Sequence, residues 1–223
     1  MEWLNYFAGI DWIDIGQATL DTLMMLGASL VFTVLLGLPL GVLLFVFGPR
    51  QLFEHKGVYA ALAFLVNVLR SLPFIILLIV LIPTTMLLVG TSLGVMGAIP
   101  PLVIGTTPFF ARLVETALRE VDRGIIEATQ AMGATPRQII IRALLPEALP
   151  GIIAAITVTA ITLVSYTAMA GVVGAGGLGD LAIRYGYQRF QDNVMYVTVV
   201  ILIIMVQVLQ SVGDKLVVHF SRK

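Results

Sequence analysis

The amino-acid sequence predicts an all-α membrane protein with five transmembrane helices. Of its 223 residues, 59% are hydrophobic and 12% are charged, whereas soluble domains carry about 25% charged residues. The mean hydropathy is +1.01, and apolar runs long enough to cross a bilayer recur along the chain. The zero net charge gives no reason to expect a nucleic-acid partner. The absence of cysteine excludes disulfides and thiolate metal sites.

Residues 1–17 are expected to lie in the membrane interface on the outer side. The segment lacks the basic residues of a signal peptide and carries Glu2, Asp11 and Asp14 instead. Aromatic residues among these acids fit an interfacial position: Trp3, Tyr6, Phe7 and Trp12.

Residues 18–217 are expected to form the transmembrane domain. In the first span, Gly37 and Gly41 are separated by three residues, a spacing that lets helices approach closely. Pro39 between them is expected to kink the helix, because it lacks an N–H. Residues 83–93 are predicted to be a short outer connection. The predicted spans cover about residues 19–47, 58–82, 94–118, 147–170 and 194–212, and a basic tail occupies residues 213–223.

Arg70 lies within the second predicted span. If this helix begins at Val58, Arg70 is roughly 18 Å along it, where exposure of a charge to lipid costs several kcal/mol. We therefore expect Arg70 to face the bundle interior or a wet cavity. Two interpretations remain open: it pairs with carbonyls that Pro73 leaves free, or it lines a pathway.

One short motif lacks the context that its chemistry requires. Gly90–Gly94 reads G-x-S-x-G around Ser92, but a serine nucleophile needs a histidine base. The two histidines, His55 and His219, are predicted on the opposite side of the membrane. We therefore do not expect an intramembrane hydrolase.

A glycine-rich run follows the fourth span. It formally reads G-x-G-x-x-G, but it follows a membrane helix and not a strand, so a dinucleotide site is not expected. We predict a tight re-entrant or surface loop that permits close backbone approach, and its glycines are Gly174, Gly176, Gly177 and Gly179.

The fourth span presents a partly polar face. Thr162, Ser165 and Met169 share this face at helical spacing, with Tyr166 beside it. Hydroxyls next to a polarizable thioether would suit a pathway for a small, partly apolar solute. Ordinary helix packing is the alternative interpretation.

The third span ends in charged residues at helical spacing. Arg112, Glu115 and Arg119 follow one another at i, i+3 and i+7, which predicts ion pairs along one helix face. We expect a solvated or interfacial helix end in preference to a proton relay.

Residues 121–146, the polar segment, separate the third and fourth spans. The pattern predicts two short helices with a break at Gly133, which tolerates a left-handed helix end. A capping box of Thr135 and Gln138 is predicted for the second helix, with Pro136 at its first position. Pro146 is expected to stop this helix. The segment is predicted to be a docking element or an amphipathic surface hairpin without a partner.

Basic residues predict the orientation of the chain. With the N-terminus outside, the outer segments carry only Arg184 and Arg189. The positive-inside rule then places the N-terminus outside and the C-terminus inside. A symmetric dimer would give Arg70 and the fourth span a shared interior. The inner segments carry nine basic residues, namely Arg50, Lys56, Arg119, Arg123, Arg137, Arg142, Lys215, Arg222 and Lys223.

The polar segment follows a pattern of E-A-A, three residues, Gly, nine residues and I-x-L-P, which Glu127, Ala128, Gly133, Leu145 and Pro146 match in register. In this it resembles the EAA loop of ABC-importer permeases. Thr129 replaces the second alanine of that motif, and Ala143 stands where isoleucine is usual. The resemblance implies a coupling helix that sits in a groove of a separate cytoplasmic ATPase subunit. It implies coupling roles for Glu127, Ala128, Met132, Gly133, Ala134, Arg137, Leu145 and Pro146.

Residues 70–79, 127–151 and 168–190 resemble the permease subunit of bacterial methionine importers. The resemblance implies a type I ABC importer in the cytoplasmic (inner) membrane, with two permeases, two ATPase subunits and an outer substrate-binding protein. It implies L- and D-methionine as solutes, and it places Met169 near an outer gate. The chain has no G-x-x-x-x-G-K-[ST] motif, so we expect it to be non-catalytic and to hold no cofactor. A permease of an ABC importer for another small amino acid or organic anion remains the alternative.

Overall fold

The computed structural model describes residues 10–221, and all regular secondary structure in that range is helical. The predicted all-α class is therefore confirmed. The α-helices in chain order are α1 (Trp12–Phe47), α2 (Lys56–Ser71), α3 (Phe74–Val80), α4 (Ile82–Val89), α5 (Gly94–Arg119), α6 (Arg123–Ala131), α7 (Pro136–Ile139), α8 (Leu145–Glu147), α9 (Leu149–Ala170), α10 (Gly177–Leu181) and α11 (Asp192–Ser221). Three π-helical turns join some of them: Ile140–Leu144, Gly171–Ala175 and Ala182–Tyr187.

Within the described range, four helices are long and apolar enough to cross a membrane, and a broken pair can supply a fifth crossing. The four are α1, α5, α9 with the π-turn that follows it, and α11. The broken pair is α2 with α3. These helices fit the prediction of five spans.

The outermost spans are longer than predicted. α1 begins at Trp12, because the Asp11 carboxylate accepts hydrogen bonds from the N–H groups of Ile13 (2.9 Å) and Asp14 (3.3 Å) and caps the helix. Residues 12–17, expected in an interfacial segment, are therefore helical, and residues 1–9 lie outside the described range. α11 continues to Ser221 and includes most of the predicted tail.

The second predicted span is not one helix. α2 ends at Ser71, and Leu72 is extended (φ −83°, ψ 129°), because the residue before a proline is disfavoured in the α region. The predicted connection over residues 83–93 is also largely helical. α4 has Pro83 in its first turn and ends at Gly90 in the left-handed conformation (φ 77°).

Pro146 does not stop the helix that precedes it. The chain winds from α7 through the π-turn into α8, and the N–H of Leu145 donates to the carbonyl of Ile140. A proline cannot donate the usual bond to the carbonyl four residues earlier. The wider π-turn before it lets the helical path continue.

The described residues form two compact units. The first combines the start of the chain to Phe32 with Pro73–Ile104 and Ala160–Leu209. The second combines Thr33–Leu72, Gly105–Thr159 and the chain from Gln210.

Close packing of α1 on α5 organises the second unit. A Cβ on Gly37 would lie 2.7 Å from Phe110 Cδ1, and one on Gly41 would lie 2.6 Å from Val114 Cβ. The close approach predicted from the G-x-x-x-G spacing is confirmed. α1 continues through Pro39 without interruption. One turn earlier, the hydroxyls of Thr33 and Thr106 are hydrogen-bonded at 2.7 Å.

Candidate functional site

The polar segment belongs to the second unit and begins with a capped helix. The Asp122 carboxylate accepts a hydrogen bond from the N–H of Gly124 (2.6 Å) at the start of α6. Ile125 and Ile126 are half-buried and pack on the core of the unit. Glu127 lies on the exposed side of the same helix.

Gly133 ends α6 as predicted, with φ 79°. Its N–H donates to the carbonyl of Gln130 (2.9 Å), and the N–H of Ala134 donates to the carbonyl of Thr129 (3.1 Å). These two bonds are those of a Schellman motif, which satisfies the last carbonyls of a helix. A Cβ on Gly133 would meet no atom within 4 Å, so the requirement for glycine comes from the backbone conformation.

The predicted capping box of the second helix is also present. Thr135 Oγ1 accepts a hydrogen bond from the N–H of Gln138 (3.4 Å), and Gln138 Oε1 accepts one from the N–H of Thr135 (2.8 Å). Pro136 occupies the first turn. Beyond it, Ile139 and Leu144 are each 1% exposed and hold the segment on the core.

The eight predicted coupling residues divide into two groups. Ala134 and Leu145 are half-buried and pack on the core of the second unit. Met132 is 77% exposed, a large fraction for an apolar side chain. The exposed group is Glu127, Ala128, Met132, Gly133, Arg137 and Pro146.

The sequence predicted a solvated or interfacial helix end here, and the Glu115 side chain itself is buried and not solvated. Its side chain accepts from Arg112 Nη1 (2.6 Å) and Arg119 Nη2 (2.7 Å), which confirms the predicted pairing. Tyr59 Oη donates to Glu115 Oε1 (3.3 Å), and Arg112 Nη2 donates to Asn67 Oδ1 (3.1 Å). We call these five residues the Glu115 network. Sequence reasoning missed Tyr59 and Asn67, whose signal was a pair of polar residues eight apart on an apolar helix.

Ser165 and Met169 line one groove in the first unit. Its volume is about 600 Å³. Ser165 and Met169 contribute from α9, and Leu202 and Gln207 contribute from α11. The structure therefore brings these two predicted pathway residues together in a mainly apolar groove.

The other two predicted pathway residues lie elsewhere. Tyr166 does not line the groove; its ring stacks on Phe74 with centroids 4.2 Å apart. Arg70 is exposed on α2 and makes no ion pair or hydrogen bond with any residue from 10 to 221. Its predicted pairing with carbonyls freed by Pro73 is not observed.

The glycine-rich run is a partly buried turn in which Gly174 is exposed and Gly176 is half-buried, and the choice between a re-entrant and a surface loop stays a prediction. Gly174, Gly176 and Gly177 have φ between 78° and 93°, which is why glycine is required there. Gly177 and Gly179 are buried. Gly179 packs directly on the backbone of Ala168, so the predicted close backbone approach is confirmed.

Together, the membrane-length helices define a multi-pass membrane protein with an exposed, capped polar segment between two of its spans. The family described as "Binding-protein-dependent transport system inner membrane component" matches residues 34–223. The chain belongs to this family.

Proteins of similar sequence match nearly the whole chain. It is 53% identical over 200 residues to the "Probable D-methionine transport system permease protein MetI" of Vibrio cholerae, covering 90% of this chain and 89% of that one. It is 48% identical over 210 residues to the "Methionine import system permease protein MetP" of Bacillus subtilis, covering 94% and 95%. The resemblance to methionine-importer permeases is thereby confirmed.

Solved structures show the same fold. The native crystal form of the inward-facing MetNI methionine ABC transporter matches with a TM-score of 0.92 and 48% identity, covering 94% of this chain and 97% of that one. A chain of an amino acid ABC transporter matches with a TM-score of 0.75 at 17% identity, which shows the fold alone. The fold is that of a type I ABC-importer permease.

Proposed function

We propose that this chain is the membrane-spanning permease subunit of an ATP-driven importer for L- and D-methionine in the bacterial inner membrane. The observation that carries the proposal is the exposed, fully capped polar segment in a chain 53% identical to a methionine-system permease. Its partners are two ATPase subunits, a second copy of the chain, and a substrate-binding protein outside. ATP hydrolysis takes place in the ATPase subunits, and this chain is not itself catalytic.

The polar segment is the element on which the ATPase acts. Caps at Asp122, Gly133 and Thr135 leave few backbone groups of α6 and α7 in need of outside partners. The segment therefore moves as a rigid element, with Ala134 and Leu145 joining it to the core of the second unit. The six exposed coupling residues contact the ATPase.

Transport proceeds by alternating access. The groove beside Ser165 and Met169 contributes to the methionine pathway, because a thioether contacts apolar surface and sulfur favourably and a hydroxyl can bind an amino-acid head group. Arg70 faces the second copy or a wet cavity, since a charge on a lipid-facing helix is costly. Tyr166 and the glycines from Gly174 to Gly179 shape the gate beside this pathway.

The chain has its N-terminus outside and its C-terminus in the cytoplasm. Residues 1–17 lie on the outer side, residues 18–217 form the transport domain, and residues 213–223 form a cytoplasmic end. The support is the excess of basic residues in the segments assigned to the inner side.

Reconstituted uptake tests the function. The chain is purified with its ATPase and binding protein, placed in lipid vesicles, and supplied with ATP and a panel of labelled amino acids. We expect ATP-dependent uptake of L- and D-methionine above the other amino acids. Strong uptake of a different solute without methionine uptake would overturn the assignment of the substrate, whereas the assignment as an importer permease would stand. Uptake without ATP would overturn the importer assignment.

A further inference from the structure

A buried carboxylate lies just before the polar segment. Glu115 is on α5, is 3% exposed, and forms ion pairs with Arg112 and Arg119 on the same helix. The two arginines bring one more positive charge than Glu115 neutralises. Pairing within α5 alone would require no particular neighbour for this helix.

The Glu115 network also includes α2. Tyr59 donates to Glu115, and Arg112 donates to the carbonyl of Ala63 (3.5 Å) and to the side chain of Asn67. Tyr59, Ala63 and Asn67 are four residues apart, so they lie on one face of α2 over about 12 Å. Polar bonds therefore join α2 and α5 across two helical turns.

The rest of this helix contact is apolar. Leu62 and Ala63 pack with the buried Val66 against the cluster that contains Ala111 of α5. Apolar side chains can exchange neighbours at small cost, whereas a bond between Arg112 and Asn67 exists in one register only. A buried ion network is weak evidence for stability, because apolar residues of similar size often serve as well or better. Its best attested use is to fix one arrangement of helices.

The position of the network relates it to transport. α5 ends at Arg119, and α6 begins at Arg123 after a linker of three residues that includes the buried Val121. Motion of the polar segment therefore reaches α5 through a short, anchored connection. α2 carries Arg70 one turn beyond Asn67.

We propose that Glu115 is a positioning residue for transport. Through Arg112 and Tyr59, it makes α2 move with α5 when the ATPase displaces the polar segment. This inference rests on the proposed function. In this inference, the Glu115 network transmits the motion of the polar segment and α5 to α2, the helix that carries Arg70.

The test measures methionine uptake and ATP hydrolysis in the same vesicles, made of phosphatidylethanolamine and phosphatidylglycerol and containing the complete transporter with its binding protein. The variants are Glu115→Gln and the double variant Tyr59→Phe/Asn67→Leu. The double variant removes the side-chain bonds from α2 and keeps both ion pairs within α5. We expect methionine moved per ATP to fall by about fivefold or more, the lower end of typical coupling between sites, with assembly and ATP hydrolysis retained.

A matched control is Tyr196→Phe. Tyr196 is exposed on α11, and its hydroxyl has no hydrogen bond to the part of the chain that the structure describes. This control is expected to move as much methionine per ATP as the unmutated transporter.

A rescue variant distinguishes positioning from general stability. Glu115→Gln/Asn67→Asp moves the carboxylate from α5 to α2 and keeps Arg112 between the two helices. We expect it to restore methionine moved per ATP; a ratio that stays low would overturn the proposal. If Glu115→Gln does not assemble, the Tyr59→Phe/Asn67→Leu variant decides.

The outcomes separate this inference from the function on which it rests. An unmutated transporter without ATP-driven methionine uptake would refute the proposed function. The positioning role alone would be refuted by a different result. In that case the unmutated transporter shows ATP-driven methionine uptake, and both variants move the same amount of methionine per ATP but yield less assembled protein.

Discussion

The backbone N–H of Leu178 donates a hydrogen bond to the hydroxyl of Thr22, 2.9 Å away, although 156 residues separate them in the chain. The bond is buried and attaches the turn of glycines to α1 within the first unit. A Cβ on Gly177 would lie 2.7 Å from the same hydroxyl. The turn therefore depends on Thr22 for a partner and on Gly177 for space.

Replacing Thr22 by valine is expected to destabilise the first unit. Valine keeps the shape of threonine but leaves the buried N–H of Leu178 without an acceptor, which costs about 1–3 kcal/mol. Thermal unfolding of the detergent-solubilised transporter measures the change. Thr19→Val is the control, because, among residues 10–221, the Thr19 hydroxyl bonds only to the carbonyl of Ile15 in its own helix. An equal loss in both variants would show that the Leu178 bond contributes nothing.

A bulky residue at Gly133 is expected to uncouple transport. Gly133→Val forces a β-branched residue into a left-handed conformation, which costs at least about 1–2 kcal/mol and displaces the end of α6. We expect normal membrane insertion, weaker retention of the ATPase, and loss of ATP-driven methionine uptake.

Two variants control for this effect. Gly133→Asn should lose less uptake, because asparagine tolerates the left-handed region better than other residues. Gly27→Ala adds a Cβ where no atom lies within 4 Å and should leave uptake unchanged. Normal uptake by Gly133→Val would contradict a coupling role for the break between α6 and α7.

Single cysteines test the orientation. The chain contains no cysteine, so Gln130→Cys, Arg137→Cys and Tyr187→Cys each introduce one labelling site. We expect a membrane-impermeant maleimide to label position 187 in intact cells and positions 130 and 137 only in inverted membranes. Tyr187 is 69% exposed and suits this comparison. Labelling of position 130 or 137 from outside would reverse the topology and remove the basis for ATPase docking.

Filling the groove is expected to block methionine movement. Ser165→Trp places an indole in a space of about 600 Å³, and we expect reduced uptake with normal assembly of the transporter. Val200→Trp is the control, because Val200 is exposed on α11 and does not line the groove. Methionine uptake by both variants is measured in competition assays. Unchanged uptake by Ser165→Trp would exclude the groove from the pathway.

Local features of the polar segment were predictable from the sequence. The left-handed Gly133 and the reciprocal bonds of Thr135 and Gln138 are confirmed, because each depends on residues only a few positions apart. The close packing of Gly41 on α5 was predictable for a related reason: small residues at that spacing favour close approach whatever the partner helix is.

Features that depend on distant parts of the chain were not predictable. Buried Glu115 is bonded to Tyr59, which belongs to a helix about fifty residues earlier, whereas the charged pattern alone indicated a solvated or interfacial helix end. Pro146 was expected to end a helix, because a proline in the interior of an α-helix removes one backbone hydrogen bond and clashes with the preceding turn. Ile139 and Leu144, on either side of the π-turn's centre, are buried, and hydrophobic periodicity does not reveal such a turn.

The self-contained caps of the polar segment have a consequence for how the transporter assembles. Because Asp122, Gly133, Thr135 and Gln138 satisfy the ends of its helices, an ATPase that docks on this segment as proposed meets a surface that is already folded. Association then requires little ordering of this chain, so its entropic cost is low and coupled folding should add little to the heat-capacity change. The ATPase subunits could therefore dissociate and return without the membrane subunit having to refold its docking surface.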